Sequence, residues 1–491
     1  MMGNTKSTVW KTTRYALCSL ILILGGCNGG VSENKNDEAS ILIESVTVID
    51  AKSGERANLN VLLTGNKIME VSKKPIAPPS NSTVIDGKGK YLIPGLWDAH
   101  VHLTFTPGLE QAMFPLFLGN GITSIRDTGG LMHKVLPWKE KSIQEPDSSP
   151  RLFIAGPLLD GLPNVYDGNP GRPEISVGLG SEEEAIAMVD SLAAAGVDLI
   201  KAYEMLNPEM FKTIVAAAKK HNLPVTGHVP LSVDAIEASE HGLRSMEHMR
   251  NLEMSCSSDH DSLLRARKQM LAKGKGELGG VLRSAIHTSQ RLHAFNTFDQ
   301  QRAAQVLAAL KKNGTWQIPT VTLSTGGINR LYENGDWRKT FEYLPETIKS
   351  NWKEAANKAT EKMSNELSVA HGEWVLKMVK RLKKADVKVM AGTDTPIGFL
   401  TPGFSLHKEL EMLVKGGMEP LEAIASATLL PSQYFKLQDS IGTIEKNMIA
   451  DLVLLDANPL SDITNTRLIR AVVRNGTYYD RKALDGLLNG N

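Results

Sequence analysis

Apolar and polar residues alternate with a period of two at both ends of the chain. Residues 41–50 (ILIESVTVID) and 59–69 (LNVLLTGNKIM) read as strands, with turn-forming residues between them. Short runs at 83–86 and 90–93 add to them, and 451–455 (DLVLL) and 469–475 (IRAVVRN) repeat the pattern near the far end. The pattern predicts a small β-sandwich built from both termini, over residues 41–93 and 435–480. Between them, apolar strand-like runs alternate with helical periodicity. The strand-like runs are residues 97–103, 122–127, 152–156, 198–203, 224–228, 244–248, 317–323 and 387–393, and helices are predicted over 182–195, 208–221, 233–240 and 405–415. Eight strands with helical segments between them predict an α/β fold, a (β/α)8 TIM barrel over residues 94–434. Residues 256–313 and 324–378 are too long for plain loops, and their charged, helix-friendly composition suits either a lid at the barrel mouth or packing on its outside.

The first 26 residues follow a different logic. Lys6, Lys11 and Arg14 precede the apolar run 15–24, which is too short to span a membrane comfortably and has the length of a signal core. The run ends in Leu24-Gly25-Gly26-Cys27, which resembles a bacterial lipobox with Cys27 as the lipidated first mature residue. Polar residues 27–40 then read as a tether. These features predict an exported lipoprotein anchored through Cys27, and Asn28 suits outer-membrane sorting. Cys18 leaves with the signal, so Cys256 is alone in the mature chain and no intrachain disulfide forms. Nothing near Cys256 in sequence marks it as a nucleophile. The formal net charge of +1 gives no reason to expect nucleic acid as a partner.

The chemistry gathers at strand ends. In GLWDAHVHL, His100 and His102 lie two apart, so both face one way on a strand. Such a pair alone reads equally well as two structural histidines. Lys201 in VDLIKAY, His228 in VTGHV, His248 in SMEHM and Asp394 in MAGTD each close a separate apolar run. At the C-terminal ends of barrel strands all would point into one mouth, where unpaired polar groups are costly and a shared metal satisfies them together.

These segments, with IPGLWDAHVHL, GITSIRDTGG, AGTDT, the run beginning PGFSLHKEL and GTIEKNMIADLVLLDANPL, resemble the amidohydrolase superfamily, and within it the imidazolonepropionase-like and prolidase-like (Xaa-Pro dipeptidase-like) subgroup. The resemblance runs over about residues 40–480, in family order. It implies a binuclear site of two divalent ions, with zinc suited to the donors and manganese or cobalt open. It also implies that Lys201 is N6-carboxylated and bridges the ions, that His100, His102 and Asp394 hold the more buried one, and that His228 and His248 hold the other. A salt bridge at a strand end is the plain alternative for Lys201. A metal-activated hydroxide would attack an amide carbonyl, with Asp394 taking the proton and returning it to the leaving nitrogen. The implied activity is hydrolysis of a small C–N amide, a dipeptide of Xaa-Pro type or an N-acyl amino acid. A cyclic amide (imidazolone-like), an ester or a lactone is the alternative, and a non-catalytic metal-binding lipoprotein is the rival of another class. Tyr203 shares the face of Lys201 and reads either as a substrate contact or as a core tyrosine. Asp127 reads as a cap, Glu247 as pointing away from the mouth, His133 as a possible substrate contact, His407 as helix packing or support for Asp394, and His241 as a helix-end residue.

Overall fold

The computed structural model describes residues 39–169 and 171–490. The signal, Cys27 and the tether up to residue 38 lie outside the described residues, and the first strand already begins at Ser40. The strands in chain order are β1 Ser40–Asp50, β2 Gly54–Thr64, β3 Lys67–Ser72, β4 Ser82–Asp86, β5 Tyr91–Pro94, β6 Leu96–Val101, β7 Ile122–Asp127, β8 Arg151–Ile154 and β9 Leu158–Gly161. They continue as β10 Ser176–Leu179, β11 Ile200–Ala202, β12 Val225–Gly227, β13 Leu243–Glu247, β14 Trp316–Ile318, β15 Leu452–Leu455, β16 Ile469–Arg474 and β17 Thr477–Asp480.

The termini meet in one sheet of order β17-β16-β15-β5-β1-β2-β3, with β4 added to β1. The alternation along β1 puts Ile41, Ile43, Val46 and Val48 into a shared core with Leu59, Val61, Leu63, Leu452 and Leu454. Hydrogen bonding links all eight strands in one network, joined at β1. Its register shifts between Ile43 and Val46, with Ser45 left-handed at φ 55°, and it pairs with β4 along its first half and with β5 along its second.

The central strands are parallel, in the orders β6-β7-β8 and β10-β9-β11-β12-β13-β14. Helices return the chain between them, and local sequence explains where they start. Ser181 caps helix Glu182–Ala194, and Asn207 caps Pro208–Lys220 by accepting from Met210 N at 2.8 Å, with proline in the first turn. On the second helix Met210, Phe211, Ile214, Ala217 and Ala218 are buried, the spacing of one helical face. Helix Ala235–His241 ends at Gly242, whose φ of 109° suits only glycine.

Two predicted strands differ in the structure. The run 317–323 is extended only to Ile318. Thr320 then turns left-handed (φ 43°), and a short helix, Val321–Ser324, begins with its Val321 and Thr322 N–H groups donating to Glu409 at 2.8 and 2.7 Å. The run 387–393 forms no named strand. Val389 makes a single parallel bridge to Gln317 of β14, and Thr395, just beyond the run, makes one to Val101 of β6. Inside the parallel strands Arg126 donates to Ala99 O (2.5 Å) and Glu247 Oε1 (2.8 Å), tying β6, β7 and β13 together. At the opposite end Trp97, Phe153 and Phe435 stack, with Phe153 and Phe435 4.2 Å apart. The insertion 256–313 folds into helices His260–Lys273, Gly279–Asn296 and Gln300–Asn313.

Candidate metal centre

His100 is the fifth residue of β6 and His102 the first beyond it, so the extended backbone turns both rings to one side. Across from them lies Asp394, left-handed at φ 67°, its N–H donating to His100 O at 2.8 Å. The buried Asp98 carboxylate fixes this approach by accepting from Thr393 N (3.0 Å) and Thr393 Oγ1 (2.7 Å). Asp394 Oδ1 lies 3.0 Å from His100 Nε2 and 3.2 Å from His102 Nε2, and Oδ2 lies 3.8 Å from His248 Nε2. The His228 and His248 ring centres are 4.9 Å apart. Lys201 faces the same cavity from β11. The structure thus brings His100, His102, Lys201, His228, His248 and Asp394 together around one small cavity of about 110 Å³.

Three observations test whether these residues fit a divalent metal. First, donors bound to one zinc at about 2.0–2.2 Å stand roughly 3–3.5 Å apart, the spacing of Asp394 Oδ1 from the two histidines. Second, each histidine keeps its other nitrogen occupied. Nδ1 of His100 meets Glu247 Oε2 at 2.5 Å, of His102 meets Gly129 O at 3.1 Å, of His228 meets Glu204 Oε1 at 2.6 Å and of His248 meets Thr320 Oγ1 at 2.7 Å. Such partners set the tautomer that leaves Nε2 free to bind a metal. Third, among the described residues His100 Nε2, Asp394 Oδ1 and Lys201 Nζ are buried without a hydrogen-bond partner, an arrangement that a bound metal relieves at the imidazole and carboxylate. The residues fit.

Electrostatics support the same state. Burial lowers Lys201 to about 8, although Glu247 and Asp394 pull it up. Burial likewise holds His228 near 3, against the pull of Glu204, and keeps His248 well below the usual histidine range, so both are neutral imidazoles. Burial works against the Asp394 carboxylate, but His248, His100 and His102 hold it well below the ordinary range.

Glu247 corrects the sequence reading. Strict alternation sends it away from the mouth, yet it lies inside, accepting from His100, Arg126 and Thr226. The backbone leaves the extended region directly after it: His248, Met249 and Asn251 have φ of 58°, 51° and 68°. That turn lets neighbouring side chains share one side. Glu204 is a second carboxylate the sequence left unmarked. It accepts from His228, from Arg283 (2.8 Å) and from His287 (2.5 Å), and these partners hold it well below the ordinary carboxyl range in spite of burial. Arg283 and His287 come from helix Gly279–Asn296, so the first insertion reaches the mouth. Residues 324–378 contribute nothing to the cavity lining among the described residues.

Tyr203 lines the cavity, its ring centre 4.4 Å from that of His228. Asp127 caps the turn beneath, accepting from Leu103 N and Gly129 N. His133 is exposed on helix Met132–Gln144 and lies off the cavity lining. His407 bridges Asn120 O and Thr466 Oγ1, a packing role. His241 lies 3.7 Å from Glu237 at its helix end. Cys256 is buried, and burial pushes its thiol up.

Comparison with known proteins adds a consistent picture. Residues 91–478 match the Amidohydrolase family. Ochratoxinase of Aspergillus niger is 24% identical over 486 residues, covering 87% of this chain and 83% of that protein. A dihydroorotase of Geobacter sulfurreducens is 27% identical over 193 residues, only 38% of this chain and 42% of that protein. Among solved structures, a Xaa-Pro dipeptidase with methionine bound in its active site superposes with a TM-score of 0.64 at 19% identity, covering 90% of this chain and 100% of that one.

Proposed function

This chain belongs to the amidohydrolase family, and from that premise we propose that it hydrolyses the amide bond of a small dipeptide of Xaa-Pro type or of an N-acyl amino acid. It is a hydrolase acting on carbon–nitrogen bonds, with a metal-binding histidine–aspartate cluster. The finer reading is ours. In it the parallel segments close into a (β/α)8 barrel, supported by the bridges that put residues 389–395 between β14 and β6. His100, His102 and Asp394 would hold one divalent ion and His228 and His248 a second, zinc by the nature of the donors, and Lys201 would serve as a further ligand in its N6-carboxylated form. When bound, such ions supply Lewis acidity and make water acidic enough to ionise near neutral pH. Asp394 accepts the proton of the attacking water at a carboxylate oxygen and delivers it to the departing nitrogen. Tyr203 orients the substrate from the wall beside His228. Glu247 and Glu204 hold the His100 and His228 rings in place.

The observation that carries this reading is the buried, unpartnered set of His100 Nε2, Asp394 Oδ1 and Lys201 Nζ around one cavity. The test is a screen of zinc-reconstituted protein against dipeptides and N-acyl amino acids, with Asp394→Asn alongside. Asp394-dependent cleavage is the expected result. Turnover of cyclic amides or esters alone would replace the linear-amide reading, and the partial match to a dihydroorotase makes cyclic amides the first to try. Metal binding with no turnover of any amide or ester would leave the binding lipoprotein. We also propose export and lipid anchoring through Cys27, supported by Leu24-Gly25-Gly26-Cys27. Cys27→Ser is expected to move the protein from the membrane to the soluble fraction, and unchanged membrane association would sink that proposal.

A further inference from the structure

Arg250 lies two residues beyond His248 and lines the metal cavity with Tyr203 and Arg283. Three guanidinium groups crowd this wall. Arg283 donates to Glu204 Oε1 from Nη2 at 2.8 Å and from Nε at 3.1 Å. Arg291 Nε donates to Glu253 Oε1 at 2.8 Å. Arg250 is the remaining one. Its Nε is buried without a hydrogen-bond partner, and its side chain is 17% exposed. The one carboxylate within salt-bridge range among the described residues is Glu204, whose Oε1 is 3.8 Å away and already accepts from His228 and Arg283. The guanidinium is a cation at neutral pH, as arginine is throughout proteins. His287, which meets Glu204, and His371, stacked on Phe295, lie behind this wall. Both are held well below the usual histidine range, by burial first and then by Arg291, so they are neutral and supply no countercharge.

A largely buried cation whose one carboxylate is distant and shared with other donors is costly. Here the guanidinium opens onto a cavity, where a bound anion supplies what the protein does not. Arg250 lines the same cavity as His228, His248 and Asp394, so an anion at Arg250 shares that cavity with a carbonyl at those residues. The α-carboxylate of an amino acid, one carbon from its amide nitrogen, is an anion of this kind. A planar guanidinium matches a carboxylate with two parallel N–H donors.

We infer that Arg250 is the specificity-determining residue of this site, receiving the carboxylate of the substrate's leaving amino acid. The inference rests on the amide-hydrolase reading above and narrows it: substrates are anionic amides, and neutral lactams and esters are poor ones.

The test compares the fastest substrate of the screen with its C-terminal primary carboxamide, using the metal-loaded full chain. A charge-assisted hydrogen bond of ordinary strength gives a preference for the carboxylate of about 10- to 150-fold in kcat/KM. Arg250→Met is expected to bring that ratio close to one, mainly through KM of the carboxylate, and Arg250→Lys to restore part of it. A purely structural role would lower both substrates together and leave the ratio in place, which would overturn the inference, as would a wild-type enzyme indifferent to the carboxylate. Melting curves and metal content check that the variants fold. Should the Met variant fail that check, Arg250→Gln carries the same comparison. If the wild type cleaves no amide, the amide reading fails separately, and calorimetric titration with L-proline and L-leucine decides for Arg250. Binding lost in the variant supports it, and no binding by the wild type overturns it.

Discussion

Asp451 and Asp394 are both buried carboxylates among positive or protonatable groups, and their surroundings differ in one respect. Asp451 joins the terminal sheet to the parallel strands. Its Oδ1 accepts from Arg474 Nη1 (2.9 Å) and Asn475 N (2.8 Å), and its Oδ2 accepts from Arg151 Nη1 (3.0 Å). Arg474 and Arg151 are themselves completed by Ser149 O and Ser124 Oγ. The cluster is closed on itself. Around Asp394, by contrast, Oδ1, His100 Nε2 and Lys201 Nζ have no hydrogen-bond partner among the described residues. Buried charge by itself is therefore a poor guide to function here. The informative feature is buried charge that the protein leaves unsatisfied, since folding normally pairs such groups.

This contrast can be broken by mutation. Asp394→Asn and Lys201→Ala are expected to lower kcat/KM by about 10³-fold or more and to release metal, read by kinetics and by elemental analysis. Chelation of the wild type should do the same, and zinc should reverse it. If Asn at 394 kept both metal and activity, the contrast would lose its functional half. Asp451→Asn acts in the other direction. It leaves two arginines without their carboxylate and is expected to cost about 3–5 kcal/mol of stability, seen as a lower Tm, with activity per folded molecule retained.

The pH dependence of that loss follows from the shift. Burial opposes the Asp451 carboxylate, but Arg474 and Arg151 hold its folded pKa below the ordinary value. A depressed carboxyl stabilises above its unfolded pKa and loses the contribution as pH falls through the folded one. The Tm gap between wild type and Asp451→Asn should thus be constant near neutrality and narrow below about pH 4. A gap unchanged at pH 3 would contradict the ion-pair account.

Glu247→Gln and Glu204→Gln sharpen the comparison at smaller scale. Each weakens the partner of a histidine Nδ1 and is expected to reduce metal affinity by about 10- to 100-fold, measured by competition with a chromophoric chelator. Smallest of all is Cys256→Ala. This buried thiol lies outside both clusters, so activity should be unchanged and thiol reagents should not inactivate the native enzyme.

Where the chain is regular, its sequence was sufficient. β7 coincides with the run 122–127, and helix Glu182–Ala194 lies within the predicted 182–195, because alternation and a serine cap are local properties. The pair His100 and His102 was legible for the same reason: in extended chain, i and i+2 share a face. The reading failed where the backbone departs from a regular repeat. The run 387–393 carries Met390 and Ala391 fully buried but makes only isolated bridges. Burial dictates an apolar run whether or not a ladder forms.

The sequence by itself determined which residues meet at the cavity, since each of Lys201, His228, His248 and Asp394 ends an apolar run and each such end reaches it. It also determined that residues 41–50 and 469–474 would be strands. Only the tertiary structure decided what surrounds the ligands. Glu247 turns inward because His248 is left-handed, a conformation that histidine permits but does not announce. Arg283 and His287 reach Glu204 from about 80 positions further along the chain, once helix Gly279–Asn296 docks at the mouth. Arg250 is left at 3.8 Å from a carboxylate, Glu204, that already accepts from His228, Arg283 and His287. Local pattern specifies which residues face inward on regular elements; the balance of charge in a buried site is a sum over elements far apart in sequence, and it exists only after they have packed.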